Sequence, residues 1–425
     1  MRQLRYRYRL DPTPAQRQGL ARAFGCGRVV YNDGLRLREN AHTAGLPYPS
    51  DAELSRRLTL AKQTPERAWL GEVSAVVLQQ SLADLHRAYR NYFRAVAEVK
   101  AARARGEKAK LKVRKPKFKS KRHDQAIRVT RAGRFHVLPS GRLRLPKIGD
   151  VRVRWSRPLP SEPSSVTVTL DGAGRYHASF VVEVHRQPLP RAGREVGVDL
   201  GLTAFAALST GEKIANPRWL RQREKALRRS QRAMSRKHKG SKNREKARRR
   251  LASQHVRVAD ARRDFHQQLS TRLIRDNQAV YMETLNPVVL GRSKLAKSVK
   301  DAGWGQFTAM LAEKADRYGR TLVKVDRWYP SSQVCSACGG QTGPKGSEGL
   351  NVRTWTCPTC NATHDRDVNA ANNILAEGRS VAACGGSVRP GATLAVPGEA
   401  GTTLAGAAWA WPGIPALQGG EDVNS

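Results

Sequence analysis

Leu4, Tyr6, Tyr8 and Leu10 alternate with Arg5, Arg7 and Arg9, the period of a strand with one apolar and one cationic face. Asp11-Pro12-Thr13-Pro14 breaks that period, and the pattern beyond it turns helical. Leu78, Leu82, Leu85, Tyr89 and Phe93 follow one another at helical spacing, with Arg87, Arg90 and Arg94 on other faces. Residues 13–105 are therefore expected to be mainly helical. From 126 to 186, short alternating stretches such as Val151 to Trp155 and Ser165 to Leu170 are punctuated by Pro and Gly, which predicts hairpins in a small barrel or sheet. The segment Gln187 to Arg194 holds two prolines and one glycine and marks a domain boundary.

The second half changes character. Glu195 to Leu202 is an apolar strand with Asp199 inside it; Ala204 to Ser209, a turn at Thr210-Gly211-Glu212, and Lys213-Ile214 continue it as consecutive antiparallel strands. Pro217 to Arg250 is crowded with Arg and Lys and interrupted at Lys239-Gly240-Ser241, predicting two basic helices in a hairpin. Ala279 to Leu285 is a further strand with Glu283 near its end. A helix on Phe307, Met310, Leu311 and Ala315 then leads to a strand at Thr321 to Val325. Past Ser380 the chain becomes rich in Gly, Ala and Pro and loses periodicity, the composition of a flexible tail in which Cys384 is a spare thiol.

Charge narrows the partners. In 425 residues, 77 Lys+Arg against 35 Asp+Glu leave +42, a self-repulsion that DNA or RNA would neutralise. The length favours more than one domain. No run approaches the roughly 18 apolar residues of a membrane span, and Met1 to Leu10 lack a signal-peptide core, so a soluble cytoplasmic protein is expected. Lys108 to Lys121, KAKLKVRKPKFKSK, reads as either a solvated linker or a phosphate-tracking strand or loop; its aromatic Phe118 favours the latter.

Cysteine spacing adds a metal. Cys335 and Cys338 form one C-x-x-C pair, Cys357 and Cys360 another, with 18 residues between the pairs, inside the spacing of four-cysteine zinc sites. Four thiolates fill a tetrahedral shell and leave no open position, so this Zn2+ would be structural. Directly after it, His364-Asp365-Arg366-Asp367-Val368-Asn369-Ala370-Ala371-Asn372-Asn373-Ile374-Leu375 opens a helix whose Ala371, Ile374 and Leu375 pack inward.

Acid on a first strand, acid on a later strand and acid on a helix, Asp199, Glu283 and either Asp365 or Asp367, are the order an RNase H-like fold needs to gather carboxylates around divalent ions. Mg2+ prefers such oxygen donors, and a pair of ions can drive phosphodiester hydrolysis. Singly, each acid has a plainer role as a turn residue, surface ion pair or helix cap. Gly197-Val198-Asp199-Leu200-Gly201 also suits an ATP-binding strand of the actin type, but no second glycine-rich nucleotide loop follows.

The chain resembles the TnpB (OrfB) family of insertion-sequence proteins, relatives of type V CRISPR effectors. The resemblance is carried by Tyr8 to Gln16, Phe24 to Asn32, Pro116-Lys117-Phe118-Lys119-Ser120, Gly197 to Gly201, the four cysteines and Asp365 to Ile374. It implies a wedge-like β-barrel at 1–12 and 106–190 interrupted by a helical recognition lobe at 13–105. It further implies a RuvC-like nuclease domain at 191–334 and 361–379, a zinc ribbon at 335–360 and a tail at 380–425. On this resemblance Asp199, Glu283 and Asp367 bind catalytic Mg2+. The protein would be an RNA-guided endonuclease that takes its guide RNA from the transposon end and cleaves target double-stranded DNA beside a short transposon-adjacent motif. Basic segments with Lys117, Lys119, Arg228 and Arg229 would then hold phosphates, and Gln79, Gln80 or Asn91 would reach base edges. A zinc-containing regulator of transposition that binds nucleic acid without essential cleavage is the alternative.

Overall fold

Strand β1 (Arg2–Asp11) carries the opening alternation into three dimensions: Leu4, Tyr6, Tyr8 and Leu10 are buried, while Arg5 and Arg9 are exposed. The computed structural model describes residues 2–121, 125–285, 290, 295–345 and 348–383, in two compact units that divide between Val184 and His185. In the first unit β1 lies antiparallel between β5 (Gly149–Arg154) and β7 (Tyr176–Val184). The seven-stranded sheet runs β2 (Ala126–Thr130), β6 (Ser165–Leu170), β7, β1, β5, β4 (Arg142–Leu145), β3 (His136–Val137).

That sheet is an open form of the expected wedge-like barrel. Among the described residues no pairing joins β2 to β3, so it is a half-barrel; an edge strand of two residues presents too few backbone groups to close the ring. Residues 106–121 contain no strand either. The helices α1 (Pro14–Thr43), α2 (Asp51–Ala61) and α3 (Ala75–Ala104) share the sheet's core. Thr13 starts α1 with a capping box, its hydroxyl accepting from Gln16 N–H at 3.3 Å and its own N–H donating to Gln16 Oε1 at 3.0 Å. On α3, Leu78, Leu82, Leu85 and Tyr89 are buried as the spacing predicts. Phe93 is 49 % exposed, because α3 runs past its last buried residue, Tyr89, and Phe93 packs instead on Tyr48, Tyr89 and Tyr92.

The second unit is built on five strands in the order β10 (Lys213–Ala215), β9 (Ala204–Leu208), β8 (Glu195–Leu200), β11 (Ala279–Glu283), β12 (Thr321–Val325). The first three pair antiparallel, and β8, β11 and β12 are parallel. Both faces of this sheet are covered, which is why its strands read as nearly continuous apolar runs. Val196, Val198, Leu200, Val280 and Met282 face Leu269, Leu273 and Ile274 of α5 (Lys242–Asp276) and Phe307 and Leu311 of α7 (Trp304–Tyr318). On the opposite face, Ala279, Tyr281, Val323 and Val325 receive Ile374 of α8 (Arg366–Ala383). Helix α8 continues through Ala383, so the tail expected from 380 starts inside a helix; the rest of that tail, with Cys384, lies outside the described residues.

Prolines did not make 187–194 a free linker. Gln187 N–H donates to Arg317 O at 3.0 Å and Leu189 N–H to Tyr318 O at 3.1 Å. The buried guanidinium of Arg320 ties Pro190 O, Ile274 O and Gln278 Oε1 together. The division therefore falls earlier in the chain, at Val184. The basic hairpin of α4 (Trp219–Ser235) and α5 is likewise anchored: the buried carboxylate of Asp301, in α6 (Ala296–Ala302), accepts from Leu220 N–H at 2.9 Å and Arg221 N–H at 3.3 Å. These are donors that the start of a helix leaves unpaired, and a negative charge suits that end of the dipole.

Two glycines set the approach of α8 to the sheet. A Cβ on Gly197 would collide with the carbonyl oxygen of Ala371 and stand 2.9 Å from Leu375 N. One on Gly378 would stand 2.7 Å from Tyr281 Cγ. Since the Gly197 obstacle is helix backbone, no rotamer change relieves it. Gly197→Ala is expected to destabilise the second unit by about 1–3 kcal/mol, the usual cost of overpacking, seen as a lower melting temperature; wild-type stability in that variant would refute the contact.

Candidate functional site

Side-chain alternation places the acids. Val196, Val198 and Leu200 point to the α5 and α7 face, so Gly197 and Asp199 turn toward α8. Strands β8 and β11 pair Tyr281 with Gly197 and Met282 with Val198; one step further sets Glu283 beside Asp199, on the same face. Glu283 is close enough to act on the Asp199 carboxyl. Both lie at the carboxyl ends of parallel strands, the end of such sheets where ligands bind. Helix α8 begins just above them, and Asp367 in its first turn is close enough to act on Asp199.

Asp365 and Asp367 are separated by what they touch. Asp365 Oδ1 accepts from the N–H groups of Asp367 and Val368, each at 3.1 Å, and its other oxygen lies 2.5 Å from Lys213 Nζ. Burial pushes its pKa up, but Lys213 and these N–H donors outweigh that and hold it below the ordinary value. Asp367 is free of the capping role and meets cations at longer range, Lys213 at 3.8 Å and Arg353 at 3.6 Å. Asp199 is shifted the other way. Burial, then the charge and hydrogen bond of Glu283, then the charge of Asp367 hold its pKa well above the usual carboxylate range, against the opposing charge of Arg366. Three oxygen donors crowded until one resists ionisation form a set that a hard divalent cation would relieve.

The four cysteine sulfurs lie within 4.8 Å of one another. Both knuckles have the same backbone pattern. Cys335 O accepts from Gly339 N–H and Cys357 O from Asn361 N–H, while Cys335 N–H donates to Gly340 O and Cys357 N–H to Ala362 O, all at 2.8–2.9 Å. Gly339 and Asn361 occupy the left-handed region, at φ 76° and 58°, which suits those two residue types. Strands β13 (Thr354–Thr356) and β14 (Thr363–Asp365) pair beside the second knuckle, so the ribbon runs beyond the expected end at Cys360 to Asp365 itself. Thr342 Oγ1, 3.2 Å from Cys357 Sγ, is the first cause holding that thiol down to about 5. His364 Nε2 lies 3.0 Å from Cys335 Sγ. The set of four sulfurs matches closed tetrahedral metal sites.

Sequence reasoning missed what connects this ribbon to the acids. Asn369 and Asn373 are almost fully buried on one face of α8. Asn369 Nδ2 donates to Val334 O at 2.7 Å, and its Oδ1 accepts from Ser336 N–H at 2.8 Å; Asn373 Nδ2 donates to both Ser331 O and Val334 O at 2.7 Å. Ser331 Oγ reaches Glu283 Oε1 at 3.4 Å. The four-residue spacing of the two asparagines was the available signal, since it puts them one above the other on a helix. Lys213 gave no such signal, being a lone cation in a chain full of them.

The residues expected to touch nucleic acid are scattered. Lys117 is exposed; Lys119 pairs its backbone with the Asn32 side chain at 2.8 and 2.9 Å and sets its ammonium 4.2 Å from the Tyr31 ring. Gln79 is engaged with Ser55 at 3.1–3.2 Å, Gln80 is half-buried beside it, and Asn91 accepts from Arg94. On α4, Arg228 pairs with Glu224, and Arg229 is exposed.

A mixed sheet with an acid cluster at the ends of its parallel strands, joined to a four-cysteine ribbon in a basic chain, defines a class of multidomain α/β proteins. Residues 179–289 match the family profile described as "Probable transposase" (OrfB_IS605), residues 304–374 the Cas12f1-like TNB domain, and residues 1–46 a helix-turn-helix domain. The last stretch here forms a strand and one long helix. A Streptomyces pristinaespiralis protein named "Putative RNA-guided DNA endonuclease" is 43% identical over 91% of this chain and 92% of its own length. Escherichia coli InsQ, with the same description, is 30% identical over 92% of this chain and 96% of its own. The chain belongs to this OrfB_IS605, TnpB-like family. Its fold is also similar to that of Cas12f1 solved with sgRNA and target DNA, at TM-score 0.50 and 14% identity, covering 83% of this chain and 81% of that one.

Two substitutions separate the ribbon from its clamp. Cys357→Ser is expected to lose bound metal, read by elemental analysis of the purified protein. Asn373→Ala is expected to retain the metal yet cost about 1–3 kcal/mol in unfolding experiments, because it strands Ser331 O and leaves Val334 O with Asn369 alone; unchanged stability would show the clamp to be idle.

Proposed function

We propose that this protein is an RNA-guided, Mg2+-dependent DNA endonuclease of a transposable element, with an RNase H-like (RuvC-like) nuclease domain and a zinc ribbon. One observation carries the reading: Glu283 follows in register beside Asp199, with Asp367 brought onto the same face by α8. The names of the relatives, at up to 43% identity over nearly the whole chain, support the same activity.

In this reading Asp199, Glu283 and Asp367 hold the Mg2+, which when bound supplies the Lewis acidity for phosphodiester hydrolysis. Asp365 stays outside that set, occupied by the start of α8 and by Lys213. Lys213 and Arg353 stand at the rim, where they meet the phosphates of an incoming strand and restrain Asp367. Zn2+ on Cys335, Cys338, Cys357 and Cys360 is a brace: through Asn369 and Asn373 it fixes the register of the 331–336 segment against α8, and thereby Asp367 against Glu283. Base pairing with the guide RNA supplies most sequence choice, the protein reads the short adjacent motif, and the basic segments hold phosphates.

Sequencing the RNA that copurifies with the protein identifies the guide, and the complex is expected to cut the matching duplex in Mg2+. Asp199→Ala should lower cutting by about a thousandfold or more, the equivalent of ~4 kcal/mol, with RNA binding retained. Cutting by that variant at the wild-type rate refutes the assignment.

A further inference from the structure

The loop after β12 leaves Glu283 and comes back to it. Val325, the last residue of the strand, is the register partner of Glu283, and Ser331 Oγ returns to 3.4 Å from Glu283 Oε1. Between them stands Trp328, 77% exposed and the most exposed of the large apolar side chains among the described residues. The turn that presents it is fixed: Trp328 N–H donates to Asp326 Oδ1 at 2.7 Å, Tyr329 N–H to Asp326 O at 3.2 Å, and Ser331 N–H to Tyr329 O at 2.8 Å. The Arg327 guanidinium lies 4.4 Å from the ring centroid.

We propose that Trp328 is a stacking platform for an unpaired base of the DNA strand that enters the acid cluster, an inference that rests on the nuclease reading above. A large flat ring held in water by a rigid turn offers a π-face to any base without reading its sequence, and a guanidinium against it adds attraction for the attached phosphates. An apolar protein partner fits poorly, because the flanking Asp326 and Arg327 are exposed and charged. A paired duplex fits poorly too, since its bases already stack on one another. Ser331 is three residues on from Trp328, at most about 11 Å of extended chain, so the stacked base lies within a few nucleotides of the scissile phosphate.

The test uses the full-length protein with its copurified RNA, without Mg2+, and a single-stranded DNA oligonucleotide carrying 2-aminopurine, whose fluorescence falls on stacking. Binding is expected to quench the probe. Trp328→Ala should abolish the quench and weaken binding about 5- to 100-fold, the range for one lost base–aromatic stack, and Trp328→Phe should restore most of both. In Mg2+, Trp328→Ala should raise KM with kcat little changed. If the wild type cuts DNA while Trp328→Ala leaves quench and KM unaltered, the platform is overturned and the nuclease stands. If no DNA is cut yet the quench depends on Trp328, the platform stands and the nuclease reading falls. A Trp328-dependent quench seen only with 2-aminopurine in the RNA overturns the inference.

Discussion

The second unit depends on one contact, the backbone of α8 lying directly on β8 where Gly197 has no side chain. A strand and a helix packed through side chains would sit farther apart, and the first turn of α8 would then rise away from the strand ends. At this separation, residues two apart on β8 do opposite things: Gly197 makes room and Asp199 fills it with a carboxyl. Gly378 repeats the device further along the helix, against the ring of Tyr281. The helix is thereby held at two places about two turns apart, and its orientation carries Asp367, Asn369 and Asn373 to their partners together.

Around this contact the electrostatics invert locally. The chain carries a formal charge of +42, yet the end of this sheet gathers four acids, Asp199, Glu283, Asp365 and Asp367, against the near cations Lys213, Arg353 and Arg366. Asp199 responds by resisting ionisation, while Asp365, with a cap and an ammonium, ionises more readily than usual. Asp365 and Asp367, two residues apart, also differ in what they touch, because only Asp365 has the α8 N–H groups to satisfy it. A polyanion drawn by the surrounding charge meets, at this spot, groups suited to divalent cations rather than to phosphate.

Period and spacing were legible because they are local. The alternation of residues 4–10 survives in the buried face of β1, and the cysteine spacing anticipates four sulfurs in one cluster. What failed to show was set at long range. Closure of the first sheet depends on how many residues β3 can pair, which its neighbours in sequence do not reveal. Phe93 obeys the helical period but outlasts the core it was expected to enter. The prolines of 187–194 signalled irregular backbone correctly, but whether such backbone hangs free or is stapled depends on Arg317, Tyr318 and Arg320, some 130 residues away. At the site, the acids stood out because single carboxylates within apolar strands are uncommon, whereas Lys213 was lost among 77 cationic residues. Spacing left Asp365 and Asp367 open and the family resemblance favoured Asp367; the capping role of Asp365 showed only once the helix start was located.

The asparagine clamp also redraws the unit that evolution or an engineer can exchange. Cysteine positions suggest a cassette from 335 to 360, but its hydrogen bonds extend to Ser331 on one side and to Asn369 and Asn373 on the other. A ribbon grafted at the cysteines alone would arrive with its thiols intact and its seat missing. The transplantable module is the stretch from the end of β12 through the third turn of α8, and chimaeras joined outside it keep the four-cysteine cluster seated against α8.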